Sequence, residues 1–280
     1  MLASESQVKL LSDLLQAETG IVLGPGKSYL VHQRLAPVAE MHGLPSVGSA
    51  IVAAVCGAGI LRRDVIDAMT INESYFFRDA AAFDALRRTI FPRLIAARQT
   101  RRRLRIWSAA CADGQEPYSV AMLVDELGLR RDGWAVEILA TDLSTRALAK
   151  ARAAIYSQFE VQRGLPARLL VRHFAKIGAD SWRLAPPIAE TVYFQPHNLM
   201  ADDTPLGRFD LILCRNVLIY FAVAEKAAVL RRLADCLASD GALALGGAES
   251  VFGLPVPLET VPDASCWYRR THETENGSRS

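Results

Sequence analysis

From Leu104 onward the chain repeats one grammar: a short apolar run, a turn, then a segment with helical periodicity. Each helical crossover returns the chain to the same end of a sheet, so the pattern demands parallel strands covered by helices on both faces. Strands are predicted at Leu104–Ala109, Val136–Thr141, Thr191–Phe194, Phe209–Cys214 and Ala242–Leu245. Helices are predicted over Pro117–Leu127, over Ser144–Ala154 with Ser144 as N-cap, and over Ala224–Leu237. The rhythm breaks between Ala154 and Thr191, where "HFAKIGADSWRLAPPIAETVYF" alternates short runs across Gly-Ala-Asp and Pro-Pro. This predicts a small antiparallel insertion at about 160–190.

What precedes Leu104 follows other rules. Val8, Leu11, Leu14 and Leu15 recur at helical spacing, and "GPG" (24–26) and "GLPS" (43–46) punctuate the rest, which predicts a small all-helical domain over 1–70. A chain of 280 residues has room for both units. Residues 71–103 read as a basic linker, since 71–105 carry nine basic against three acidic side chains although the net charge is only +2. Its densest part, "RQTRRRLR" (98–105), is either a solvated lead into the first strand or a patch for an acidic partner or nucleic acid. The sheet domain then spans 104–272, and the polar 273–280 is expected to be disordered.

The start "MLASESQVKL" lacks a basic segment followed by an apolar one, and the longest uncharged run, Ser46–Leu61, is shorter than a spanning helix. No signal peptide or membrane insertion is expected. Five scattered cysteines without a CxxC pair suit a reducing cytoplasm better than a disulfide or metal framework.

Ligands of a doubly wound sheet gather at the carboxyl ends of its strands. There the stretch "IWSAACADGQEPYSVAM" (106–122) turns from strand to helix through Gly114, a residue that lets backbone approach a ligand. The turn supplies neither G-x-G-x-x-G nor a Walker lysine, and Asp113 and Glu116 place negative charge where a pyrophosphate needs positive potential. Asp142 ends the next strand in "ILATDLS", where a carboxylate either bridges two ribose hydroxyls or merely starts a helix. Ribose without phosphate, and positive charge near the turn, describe S-adenosylmethionine.

Six ordered blocks carry a family resemblance: "TINESYFFRD" (70–79), the turn at 106–122, "ILATDLSTRALAKARAAIYS" (138–157), "FQPHNL" (194–199), "FDLILCRNVLIYF" (209–221) and "GGAESVFGL" (246–254). The chain resembles the CheR-type chemotaxis receptor glutamate O-methyltransferases over nearly its whole length. The resemblance implies a Rossmann-like class I methyltransferase domain with a small antiparallel insertion, preceded by the helical domain. It implies S-adenosylmethionine as cofactor, S-adenosylhomocysteine as product, and glutamate side chains of chemotaxis receptors as methyl acceptors. Carried over, Asn72, Ser74 and Arg78 face the cofactor and the transfer site, Glu116 takes the cofactor's amino acid part and Asp142 its ribose. Asn198, Leu199, Arg215 and Asn216 complete the pocket, and Tyr220 stands beside Arg78 as the second catalytic side chain.

Two departures from the family pattern stand out. Ser74 replaces the usual Thr and keeps the hydroxyl. The usual Ser-Thr-Gly-Glu-Glu-Pro-Tyr-Ser is here Ala-Asp-Gly-Gln-Glu-Pro-Tyr-Ser, which moves one acid ahead of the glycine and leaves Asp113 without an assigned role. The expected partners are the cytoplasmic glutamate-rich receptor helices, met by a monomer, with no nucleic acid and no metal. The alternatives are a module that binds S-adenosylmethionine or S-adenosylhomocysteine and reports it to a partner, and a methyltransferase for another substrate.

Overall fold

The computed structural model describes residues 3–24, 26–201 and 206–271, so the tail expected at 273–280 lies outside the described residues. Ser4 opens α1 (Glu5–Thr19) with a capping box shared with Gln7, and Gly20 closes it in the left-handed conformation. α2 (Ser28–Met41), α3 (Val47–Cys56) and α4 (Ile60–Met69) complete the helical unit, and Leu11, Leu15, Val31, Leu35, Ile51 and Val65 form a buried cluster of their own.

Residues 71–103 are not a linker. After an extended stretch they form α5 (Ala80–Ala85), a π-helical turn over Leu86–Ile90, and α6 (Phe91–Ala97). Phe83, Leu86, Ile90, Phe91 and Leu94 recur on one face and join the main core, leaving Arg88 exposed and Arg87 and Arg93 half-buried. This is the first helical layer of the sheet domain. The basic run that follows is neither a solvated lead nor an open patch throughout. Arg98 is buried and donates to Asp210 at 2.7 Å and twice to Asp240, while Arg105 pairs with Glu137 at 3.0 Å and stacks over Phe209.

The strands are β1 (Arg103–Ala109), β2 (Ala135–Asp142), β3 (Ile155–Ser157), β4 (Phe174–Lys176), β5 (Ser181–Leu184), β6 (Val192–Pro196), β7 (Phe209–Cys214), β8 (Leu237–Ala244), β9 (Leu258–Thr260) and β10 (Trp267–Arg270). Seven form one sheet in the order β6-β2-β1-β7-β8-β10-β9, and β10 runs antiparallel to both its neighbours. The connecting helices include α7 (Gln115–Glu126), α8 (Thr145–Ala153) and, after the insertion, α12 (Val223–Cys236). Ser144 caps α8 as expected, accepting from the N–H of Ala147. All five predicted strands and three predicted helices are present, displaced by a few residues at most except for β8. That strand starts at Leu237 rather than Ala242 because Leu237 already pairs with Phe209 before a bulge. The β9–β10 hairpin is too short for its period to register in the sequence.

The remaining strands form a separate antiparallel sheet, β3-β5-β4, together with α9 (Gln158–Gln162), α10 (Ala167–His173) and α11 (Pro186–Ala189). Its first strand begins at Ile155, ahead of the expected boundary near 160, and Pro186 and Pro187 open a helix rather than a turn. The result is the doubly wound, Rossmann-like sheet with an antiparallel insertion and an N-terminal helical unit that the resemblance implied. Strand order reverses beside β1, so the loops after β1, β2, β6 and β7 share one rim. The Arg98–Arg105 run lies at the opposite end of the sheet from that rim. Among the described residues, no helix is long and apolar enough to cross a membrane.

Candidate active site

The loop after β1 is built from alternating left-handed positions, Ala110 (φ +58), Ala112 (φ +49) and Gly114 (φ +91). Two alanines accept a conformation that normally favours glycine, a local strain typical of a ligand-facing turn. Gly114 has another purpose than the one expected. A Cβ there would stand 2.9 Å from the Cβ of Ala151 and 3.1 Å from the Tyr156 hydroxyl, so its bareness seats α7 against α8, and Ala110–Ala112 face the cavity instead.

The cavity there is bordered by all ten residues singled out in the sequence. Glu116 enters from the first turn of α7, where its Oε1 accepts from the Ser108 hydroxyl at 2.8 Å and its Oε2 from Arg215 at 3.1 Å. Burial pushes its carboxyl above the ordinary value, against the pull of Arg215 and Ser108. Arg215 reaches Asp79 with its other arm at 2.7 Å, and its Nε is buried without a partner. Asp142 ends β2 with one oxygen accepting from the N–H of Ala112 and the other from the N–H of Ser144, both at 2.8 Å. Burial raises its carboxyl as well, although both main-chain bonds oppose the shift.

The loops after β6 and β7 supply the facing wall. Asn198 spends its amide on the main chain, donating to Glu18 at 2.6 Å and accepting from Met200 at 2.9 Å, with Leu199 beside it. Asn216 is left-handed (φ +58), and its Oδ1 is buried with no partner. Tyr220 ends a short helical turn, and its carbonyl accepts from the N–H of Val22. The extended segment before α5 brings Asn72, Ser74 and Arg78. Arg78 donates to the carbonyl of Glu73 at 2.9 Å and lies over the Tyr75 ring. It takes neither neighbouring acid, since the Glu73 carboxylate pairs with Arg163 and Asp79 with Arg215.

A sequence model described as "CheR methyltransferase, SAM binding domain" matches residues 72–265. Chemotaxis protein methyltransferase 1 of Pseudomonas aeruginosa is 41% identical over 260 residues, which cover 91% of this chain and 94% of that one. Chemotaxis protein methyltransferase Cher2 of Pseudomonas putida is 40% identical, covering 86% and 89%. The corresponding protein of Borreliella burgdorferi is 31% identical, covering 89% and 90%. The chain belongs to the CheR methyltransferase family.

As a CheR protein it is an S-adenosylmethionine-dependent methyltransferase. The cavity has the chemistry such a cofactor needs. Glu116 and Asp142 bring two buried carboxylates to it, and the Asn216 Oδ1 is a buried acceptor without a partner. Several contributors escaped the sequence reading. Thr19 and Ile21, from the helical unit, form part of the cavity wall, and Ile21 pairs with Phe221 in an antiparallel bridge. Asp67 reaches over from α4 to accept from the hydroxyls of Ser144 and Thr145 at the start of α8. Glu249 gathers the main chain behind Asn216. Asp113, which had no role, holds Lys150 at 2.7 Å, and Lys150 in turn holds Glu160 of the insertion. Most of these residues lie far from their partners in sequence, and although Asp113 and Glu249 fall in quoted blocks, nothing local announces whom they meet.

Proposed function

We propose that this enzyme transfers a methyl group from S-adenosylmethionine to side-chain carboxylates of glutamates in chemotaxis receptors, giving methyl esters. The relatives' names direct the reading to receptors. The observation that carries it is the state of Arg78: a guanidinium at the cavity wall that forms no salt bridge among the described residues. An incoming carboxylate finds there a planar fork able to orient it. Tyr220 borders the same cavity and adds one hydrogen bond.

Glu116 and the Asn216 amide hold the amino acid end of the cofactor, Asp142 the ribose, and Asn72, Ser74, Asn198, Leu199 and Arg215 shape the remainder. Bound there, the cofactor supplies an electrophilic methyl group on a sulfonium. A glutamate acceptor has a pKa of about 4.3 and is ionised at neutral pH, so the site needs no general base. Its task is alignment and exclusion of water, with Arg78 and Tyr220 fixing the approach of the carboxylate oxygen. Too tight a grip would stabilise the ground state as much as the transition state, which suits one arginine fork and one hydroxyl rather than a cage of cations. The enzyme works as a monomer, in the cytoplasm, on glutamate-rich receptor helices.

The test mixes the protein, methyl-labelled cofactor and receptor-bearing membranes, then treats the product with mild base. Release of the label as methanol is expected of a methyl ester. Label retained through base treatment, or no transfer despite cofactor binding, would sink the assignment.

A further inference from the structure

Glu249 sits in the turn after β8, 6% exposed and outside the cavity wall. Its carboxylate accepts four main-chain N–H bonds. Oε1 takes those of Val217 at 3.0 Å and Ile219 at 3.3 Å, and Oε2 takes those of Asn216 at 2.8 Å and Gly246 at 2.6 Å. Three of the four donors belong to the segment that carries Arg215, Asn216 and Tyr220. A buried carboxylate needs donors in place of its lost water, and here they come from that one segment and its neighbouring turn.

The turn is shaped for this contact. A Cβ on Gly246 would stand 2.8 Å from Glu249 Oε2 and 2.5 Å from Asn216 Nδ2, so both residues need the glycine. The N–H of Glu249 closes the turn onto the Gly246 carbonyl at 2.9 Å. On its other side the segment is gripped through Arg215, whose arms reach Glu116 and Asp79. Asn216 is thereby kept left-handed, with its unpartnered Oδ1 in a residue that lines the cavity.

We propose that Glu249 is a positioning residue for methyl transfer: its carboxylate anchors the Arg215–Tyr220 segment from behind and sets where Asn216 and Tyr220 meet cofactor and substrate. This rests on the functional reading above for the substrate, and on the cavity alone for the cofactor.

Three full-length variants test it. Glu249→Gln keeps the size but replaces one acceptor oxygen with an NH2 group, which turns N–H donors toward two of the four main-chain donors. Glu249→Asp keeps every acceptor on a shorter arm, and Gly246→Ala keeps the acid but crowds it. Turnover at saturating substrates, receptor KM, S-adenosylhomocysteine affinity by calorimetry and melting temperature are compared with the wild type. Glu249→Gln is expected to lower kcat roughly 100-fold and weaken S-adenosylhomocysteine about tenfold with receptor KM little changed, since small misplacements at a reacting centre act on this scale. Glu249→Asp recovers much of the loss, and Gly246→Ala reproduces the glutamine pattern. Wild-type kcat and product affinity in folded Glu249→Gln, with only the melting temperature reduced, would overturn the proposal. If that variant does not fold, wild-type kinetics in Gly246→Ala overturns it instead. If the wild type methylates no receptor, the substrate assignment fails, while unchanged S-adenosylhomocysteine affinity across the variants still refutes the anchor.

Discussion

Two arginines border the cavity and are held in opposite ways. Arg215 is locked between Glu116 and Asp79, whereas Arg78 rests on a main-chain carbonyl and an aromatic ring. The first is an element of architecture and the second is available to a substrate. Arg78→Ala is therefore expected to reduce turnover roughly 100-fold by losing alignment of the acceptor. S-adenosylhomocysteine affinity, measured by calorimetry, should stay close to wild type. A parallel fall in affinity would move Arg78 from orienting the acceptor to holding the cofactor.

Glu116 makes a prediction about pH. Its carboxyl is raised by burial, so the free protein keeps this proton to a higher pH than an ordinary carboxylate would. A cationic ligand favours the ionised form, and binding must then expel the proton. Affinity for S-adenosylmethionine should accordingly fall as pH drops through the raised pKa, beginning above the usual carboxylate range. For the ligand-free protein the sign is the reverse: the folded state binds the proton more tightly than the unfolded chain, so this group's contribution weakens stability as pH rises through the same window. Calorimetry in buffers of different ionisation enthalpy measures the expelled proton, and Glu116→Gln should abolish its share of it.

At the scale of elements, Gly114 tests how α7 and α8 are fitted. Gly114→Ala adds a methyl group 2.9 Å from Ala151 at a φ of +91, combining overpacking with a left-handed conformation. These effects together should cost roughly 2–4 kcal/mol in denaturant unfolding. A change near zero would mean that the two helices part easily. The same elements show where the sequence speaks and where it is silent. β1, β2, β6, β7 and α8 were legible because apolar period and a capping serine act locally. The α5–α6 segment was misread as a linker because the excess of basic residues over 71–105 drew the reading, while its apolar face becomes evident only against the sheet. In the site, the blocks marked ten of the lining residues. They did not reveal that Asn198 is tied to Glu18, that Arg215 is shared by two acids, or that Gly114 serves packing. Such pairings depend on chain segments meeting across long sequence separations.

Across the whole molecule, the helical unit has its own core yet completes the cavity of the sheet domain. Thr19 and Ile21 stand in the wall, Val22 donates to the Tyr220 carbonyl, and Gly20 lies so close to Phe221 that a Cβ would approach the ring to 2.7 Å. A second bridge runs through Asp67, which accepts from Ser144, from Thr145 at 3.0 Å and from the N–H of Arg146 at 3.2 Å. Ser144 is also the residue whose N–H holds Asp142. Asp67 thus reaches the ribose-side acid through one intermediary while staying outside the cavity. Asp67→Ala should cost about 1 kcal/mol of stability, the usual scale for a lost helix cap. If the two units work as one, it should also weaken S-adenosylhomocysteine several-fold, because the Ser144 turn that aims Asp142 loses its outer support. Thermal melts and calorimetry on the same preparation separate these effects. Lowered stability with unchanged affinity would make the helical unit a neighbour of the site rather than a part of it.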